Sequence, residues 1–189
     1  MATIKTDKRL AAFLDLIAFS EGTSSSPATR ADGYDIIVSG IDGSHTFTDY
    51  SAHPFANGRG AILVRAGKAA IVTSAPTLSG QAPHIIKPAV PEIESTASGR
   101  YQITLPTWRD LCSGSKLSTF DPTSQDVAGL MLIQRRQATE LILSSRIAAA
   151  IYACREEWAS FPGGPYDQPQ KSQDNLVQCY ISLLDAQAG

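Results

Sequence analysis

Cysteine is scarce in this sequence and poorly placed for chemistry. Cys112, Cys154 and Cys179 are three in number and widely spaced, so no CxxC-type pair offers a structural metal site. Cys154 and Cys179 fall in helical apolar patterns, where a free thiol serves as a small buried hydrophobe, and the set suits a reducing compartment. His45, His53 and His84 lack HExxH spacing, and no G-x-S-x-G word or paired histidine makes Ser20 a nucleophile. An excess of positive charge is also missing. Lys and Arg total 16 against 18 Asp and Glu, for a net charge of -2 and a pI near 5.9, so the field expected of a nucleic-acid binder is absent. Nor is there an apolar run approaching the roughly 20 residues of a bilayer span. Leu10 to Phe19 is interrupted by Asp15 and followed by no small-residue cleavage site, so neither an export signal nor an anchor is expected. No internal repeat and no heptad pattern is visible.

What remains is an ordinary globular composition, with 43% hydrophobic and 18% charged residues. The 189 residues suffice for a single domain with a substantial core. Leu10, Phe13, Leu14, Ile17 and Ala18 follow the i, i+3, i+4 spacing of an amphipathic helix. Thr6 or Asp7 can cap its start, and Gly22 stands where a left-handed residue would end it. The Ser/Thr/Pro-rich stretch from Thr23 to Arg30 reads as a surface loop. From Gly33 the pattern turns to short β-branched runs. Tyr34 to Val38 is a strand followed by turn residues Gly40-Ile41-Asp42-Gly43. Ala61 to Arg65 and Ala69 to Thr73 flank Ala66-Gly67-Lys68 as a predicted hairpin. Pro76, Pro83, Pro88 and Pro91 then predict an extended loop over Ala75 to Pro91. The remainder is helical. One short helix opens near Pro106, a second runs from Asp121-Pro122 to about Ala138, a third covers Arg146 to Trp158, and the last extends from Ser172 to about Ala186. The fold class is α+β, mainly helical with a small antiparallel β region.

Glu21 is the acid with a chemical argument behind it. At a helix C-terminus, unsatisfied carbonyls carry partial negative charge and disfavour a carboxylate. Burial against apolar neighbours acts in the same direction. Both raise the pKa and keep the group protonated, as a general acid requires.

Six words in order carry a family resemblance: AFLDLIAFSEGT (Ala12 to Thr23), GYDIIVSG (Gly33 to Gly40), FTDYSAHP (Phe47 to Pro54), SGRYQ (Ser98 to Gln102), FDPTSQD (Phe120 to Asp126) and WASFPGGPY (Trp158 to Tyr166). Together they span nearly the whole chain, which resembles the lambda-type phage lysozymes, lytic transglycosylases of the lysozyme-like superfamily. The resemblance implies a lysozyme-like fold over residues 1–189 and makes Glu21 the catalytic acid. It places Tyr101 and Gln102 along the saccharide groove, with Tyr166 near the same cleft. An amide can bridge sugar hydroxyls or an N-acetyl group, and a tyrosine ring offers an apolar face with a polar tip. Asp35 and Asp49 lie inside matched words and are candidates for orienting sugars or loops.

The implied reaction cleaves the β-1,4 bond from N-acetylmuramic acid to N-acetylglucosamine, with the muramic 6-hydroxyl attacking its own anomeric carbon to give a 1,6-anhydro product. One carboxyl group suffices for that, whereas a hydrolytic muramidase would pair Glu21 with Asp35, Asp42 or Asp49. A catalytically silent saccharide-binding module is the alternative from another class. No cofactor or metal is called for. The expected partners are peptidoglycan glycan strands, and a holin for access to the wall; a monomer is expected, with no nucleic acid and no stable membrane association. The protein is expected to accumulate in the host bacterial cytoplasm and act on the periplasmic wall after release. Two departures from the family pattern stand out. Phe19 replaces its tryptophan, and the segment from His53 to Ser98 is long, with residues 55–91 forming an insertion that either extends one wall of the groove or decorates the surface.

Overall fold

The first helix, α1 (Lys8–Ser20), begins at Asp7, whose carboxylate accepts a hydrogen bond from the Arg9 amide at 2.8 Å. A computed structural model describes this helix within residues 1–69, 71–72, 85–87, 89–165 and 170–187. Its periodicity predicts one apolar face, but α1 is buried on all sides from Ala11 to Ala18, Asp15 included. It is the central helix of the core rather than a covering one. Asp15 is tolerated there because the Arg100 guanidinium meets it at 2.8 Å, with both side chains almost fully buried. The amides of Ala2 and Gln187 add donors at 2.8 and 2.9 Å. Removing one member of such a pair leaves an uncompensated buried charge, at a cost of about 3–5 kcal/mol.

Strand β1 (Ile36–Gly40) pairs antiparallel with β2 (Gly43–Thr46) through the turn at Ile41-Asp42, as the glycines predict. The predicted hairpin of residues 61–65 with 69–73 does not form. Instead β3 (Ile62–Arg65) pairs with β6 (Ile93–Ser95), β4 (Ile71–Val72) pairs with β5 (Ile85–Lys87), and Lys68 bridges Val90. These nested pairs make one long antiparallel ribbon. Gly67 is a close-approach residue in that ribbon rather than a turn residue: a Cβ there would lie 3.2 Å from the Glu92 nitrogen and 3.3 Å from the Val90 oxygen. The extended loop predicted for Ala75 to Pro91 is corrected likewise, since Ile85–Lys87 is strand and Val90 is bridged. Residues 73–84 lie outside the described residues. The ribbon joins β1 through Val38 N to Ala97 O and Ile41 N to Leu63 O, both 2.9 Å.

The helical part follows the capping signals. Helix α2 (Leu105–Ser113) starts behind Thr104, α3 (Pro122–Arg135) behind Asp121, and α6 (Gln173–Ala186) behind Ser172. In each case the side-chain oxygen accepts from an amide in the first turn. Helix α3 stops short of the predicted Ala138 because Gln137 adopts φ +56° and turns the chain into a short α4 (Thr139–Leu143). Helix α5 (Ile147–Cys154) likewise ends before Trp158. Helices α3, α4 and α6 surround α1. All three cysteines are free, and burial pushes the Cys154 thiol up to about 12.

His53 is a core residue. Its Nε2 lies 3.0 Å from the Ile103 carbonyl, Nδ1 accepts from the Phe55 amide at 3.3 Å, and its ring packs edge-on against Phe120. Two ring nitrogens in opposite roles describe neutral imidazole, and burial holds its pKa down at about 4.

Candidate active site

Glu21 occupies the C-cap of α1, its own amide bonded to Ile17 O at 2.9 Å. Gly22 then takes φ +73°, which turns the chain away from the helix axis. Thr23, fully buried, anchors that turn: its amide reaches Ala18 O at 3.0 Å and its hydroxyl reaches Arg100 O at 2.6 Å. The end of α1 is thereby stitched to the loop that carries Gln102.

That loop is held from below by a buried polar network. Gln125 on α3 accepts from the Arg100 amide at 2.8 Å and donates to Tyr34 O and Phe120 O at 3.0 and 2.8 Å. Asp126, one residue on, accepts from the Tyr34 and Tyr101 hydroxyls at 2.7 and 2.6 Å on one oxygen. Its other oxygen takes the Thr3 and Ile4 amides. Every lone-pair site a carboxylate offers is thus directed to a donor, the condition under which a buried charge is tolerated.

Above this network lies a cleft of about 480 Å³ with Glu21, Gly22 and Thr23 at one end. Ile36, Val38 and Ser39 of β1 line it, and Val64, Ile93, Glu94 and Ser95 bring the base of the antiparallel ribbon into it. Gln102, Thr104, Glu157 and Trp158 line it as well. Trp158 is nearly buried and spends its indole N–H on Tyr101 O at 3.0 Å.

The Glu21 carboxyl is partly buried, and Ser160 Oγ donates to its Oε1 at 2.7 Å. Burial raises its pKa above the ordinary glutamate value, while the Ser160 hydrogen bond and the Lys171 charge pull the other way without cancelling it. Lys171 is braced close by, its Nζ 4.7 Å from the centre of the Phe19 ring. The result is an acid that stays protonated to higher pH than a surface carboxyl and lines the cleft.

The sequence-derived candidates separate clearly. Glu21 and Gln102 line the cleft. Gln102 adopts φ +50°, with its amide Nε2 donating to Gly99 O at 3.0 Å. Tyr101 does not line the groove: it is fully buried, edge-on to Tyr34, with its hydroxyl consumed by Asp126. A substrate has no face of that ring to touch. Asp35 is also buried and turned into the loop before it, accepting from Thr29 Oγ1 and from the Arg30 amide. Asp49 is exposed and caps its own turn through the Ser51 amide at 2.8 Å, which lowers its pKa. Tyr166 lies outside the described residues. Asp42, the remaining candidate for a second carboxylate, sits on the β1–β2 turn 3.0 Å from His45 Nε2 and away from the cleft lining.

Three residues of the site were not foreseen. Ser160 stood inside a matched word, so its proximity to Glu21 had a sequence signal. Glu94 and Glu157 had none. Glu157 is committed to Arg136 Nε at 2.8 Å, and Glu94 is an exposed carboxylate on the ribbon wall. Among the described residues no group of His, Cys, Asp and Glu is arranged to hold a metal ion.

A family model described as Endolysin matches residues 11–185. The endolysin of Escherichia phage P2 is 41% identical over 179 residues, covering 94% of this chain and 93% of that protein. The endolysin of Escherichia phage lambda is 33% identical over 175 residues, with 92% and 90% covered. Among solved structures, bacteriophage lambda lysozyme complexed with a chitohexasaccharide superimposes with a TM-score of 0.70 at 31% identity, covering 96% of this chain and 97% of that one. A second lambda lysozyme structure gives 0.65 at 29% identity, with 99% and 98% covered. The fold is lysozyme-like, and the chain belongs to the endolysin family.

Proposed function

We propose that this protein lyses bacterial cell walls for a phage by cleaving the peptidoglycan glycan strand between N-acetylmuramic acid and N-acetylglucosamine as a lytic transglycosylase. The observation that carries the reading is Glu21: a partly buried carboxyl, its pKa raised by burial, at one end of a cleft of about 480 Å³. A chitohexasaccharide bound by the lambda lysozyme supports a glycan in the corresponding groove here.

The chemistry balances with one carboxyl group. Glu21 gives its proton to the glycosidic oxygen as the bond to the muramic anomeric carbon breaks, and the N-acetylglucosamine departs with a free 4-hydroxyl. The Glu21 carboxylate then takes the proton of the 6-hydroxyl on the same muramic sugar as that oxygen bonds to the anomeric carbon. Glu21 is restored, the 1,6-anhydro ring is closed, and no water is consumed. Because the nucleophile is tethered to the reacting sugar, no second side chain has to position it. Asp35, Asp42 and Asp49, the carboxylates a hydrolase would draw on, are engaged elsewhere.

A second reading, hydrolysis, is favoured by Glu94, a carboxylate on the ribbon wall able to activate a water. Mass spectrometry of digested sacculi separates the two. Muropeptides ending in 1,6-anhydromuramic acid are expected; reducing muramic ends as the main product would overturn transglycosylation. Glu21→Gln is expected to remove activity altogether, and normal lysis by that variant would overturn both readings.

No helix among the described residues is long and apolar enough to cross a membrane. We further propose that the protein accumulates in the host cytoplasm as a monomer and reaches the wall through a separate membrane-permeabilising partner, a holin. Lysis by externally added protein only after the membrane of whole cells is permeabilised is the expected result.

A further inference from the structure

We propose that Ser160 is a positioning residue for Glu21: by donating to Oε1 it leaves Oε2 as the oxygen that carries the transferred proton, while Lys171, braced on Phe19, supplies the charge that holds the carboxylate once that proton has left. The inference rests on the reading of Glu21 as the acid and goes beyond it, since it says which oxygen works and what lets one group serve as acid and then as base.

A carboxylic acid has two oxygens and one proton. The Ser160 hydroxyl lies 2.7 Å from Oε1 and commits its own hydrogen to that atom. The Ser160 amide also donates to the carboxyl, and among the described residues no side chain other than Ser160 donates to Oε1 or Oε2. With Oε1 acting as acceptor, the acid proton is placed on Oε2. In the second half of the cycle the negative charge must be stabilised until the 6-hydroxyl proton arrives. Ser160 now binds a full carboxylate, and a hydrogen bond to an ionised group is roughly twice as strong as a neutral one. The same donor thus costs the acid form little and helps the base form more.

Lys171 enters through the backbone. Its amide donates to Ser160 O at 3.3 Å, so hydroxyl and ammonium are carried toward Glu21 by two tied segments of chain. The aliphatic stem has an aromatic wall to lie against because Phe19 stands there, with Nζ over the ring. The charged groups facing this corner are few. Lys171 lies on the segment before α6; Glu157, already paired with Arg136, lies on the stretch after α5; Glu94 lies on β6 across the cleft lining. Among these groups Lys171 is the positive charge, and it acts on Glu21 in the same sense as Ser160.

The test is the pH profile of kcat and kcat/KM on purified sacculi for Ser160→Ala, Ser160→Thr, Lys171→Met and Lys171→Arg, with melting temperatures recorded alongside. Activity on the basic side requires protonated Glu21. Ser160 and Lys171 both lower its pKa, so losing either moves the basic limb to higher pH. Ser160→Ala is expected to lower kcat about tenfold, the size of one hydrogen bond to a charged group, with KM within about twofold. Ser160→Thr and Lys171→Arg are expected to restore both rate and profile. A basic limb unmoved in Ser160→Ala and Lys171→Met overturns the proposal. A loss of kcat that tracks a fall in melting temperature and is not restored by threonine does so as well. Glu21→Gln serves as the control: if it stays active, the assignment of the acid has failed; if it is dead while the Ser160 profile is unmoved, only the positioning role has failed.

Discussion

Gly99 and Gly22 share a backbone conformation, φ +74° and +73°, but not an environment, and the difference measures what supports the Gln102 loop. An alanine in the left-handed region costs about 1–2 kcal/mol at either position. At Gly22 a Cβ meets nothing within 4 Å, so the backbone cost is the whole effect. At Gly99 a Cβ would stand 2.1 Å from Gln125 Oε1 and 2.6 Å from its Cδ. The carboxamide must move, and with it the bonds to the Arg100 amide, Tyr34 O and Phe120 O. Each buried group left without its partner costs about 1–3 kcal/mol. Losing one or two of them puts Gly99→Ala about 3 kcal/mol below Gly22→Ala. For a chain of this length that is a gap of about 6–12 °C in melting temperature. The variant still folds, because a typical domain holds about 5–15 kcal/mol. Urea unfolding of both variants at one pH reads the gap directly. Two variants within about 1 kcal/mol of each other would show that the Gln125 bracket is not what holds the loop.

Acid sensitivity and the antiparallel ribbon supply the other predictions. His53 is held at about 4 against an ordinary 6.5, so the unfolded chain takes up its proton first. The stability this adds is present above about pH 6.5 and lost as pH falls toward 4; at 1.36 kcal/mol per unit it amounts to about 3 kcal/mol. His53→Gln, which can still donate to Ile103 O, is expected to flatten that part of the stability profile; an unchanged slope in wild type minus variant would contradict the neutral buried ring. Replacing residues 69–89 by a short glycine-containing turn is expected to leave KM on sacculi within about twofold, since only the base of the ribbon lines the cleft. Removing residues 62–95 is expected to raise KM, and equal effects of the two deletions would argue against a ribbon wall.

The parts legible in the sequence are those whose cause is local. Asp7, Asp121 and Ser172 announce helix starts because a cap bonds an amide only two or three residues ahead. Glu21 announces an unusual carboxyl because its helix end and apolar neighbours are adjacent in sequence. The failures are non-local. Gly67 carries the same glycine signal as a hairpin turn, but the ribbon closes much further along, and nothing within ten residues of Gly67 records that β3 will find β6. Tyr101 and Gln102 are neighbours in one matched word, and the resemblance places both along the groove. The bend between Gly99 and Gln102 sends one ring down to Asp126 and leaves the next amide above. Asp126 itself stands in the FDPTSQD word, so the residue that takes Tyr101 out of the groove was present in the sequence, but only the fold brings the two together. The identity of the acid is therefore a property of α1, whereas its protonation, its free oxygen and its carboxylate partner depend on residues 139 and 150 positions away. A substitution near Glu21 in sequence is expected to change whether the cleft forms; one at Ser160 or Lys171 changes at what pH it works.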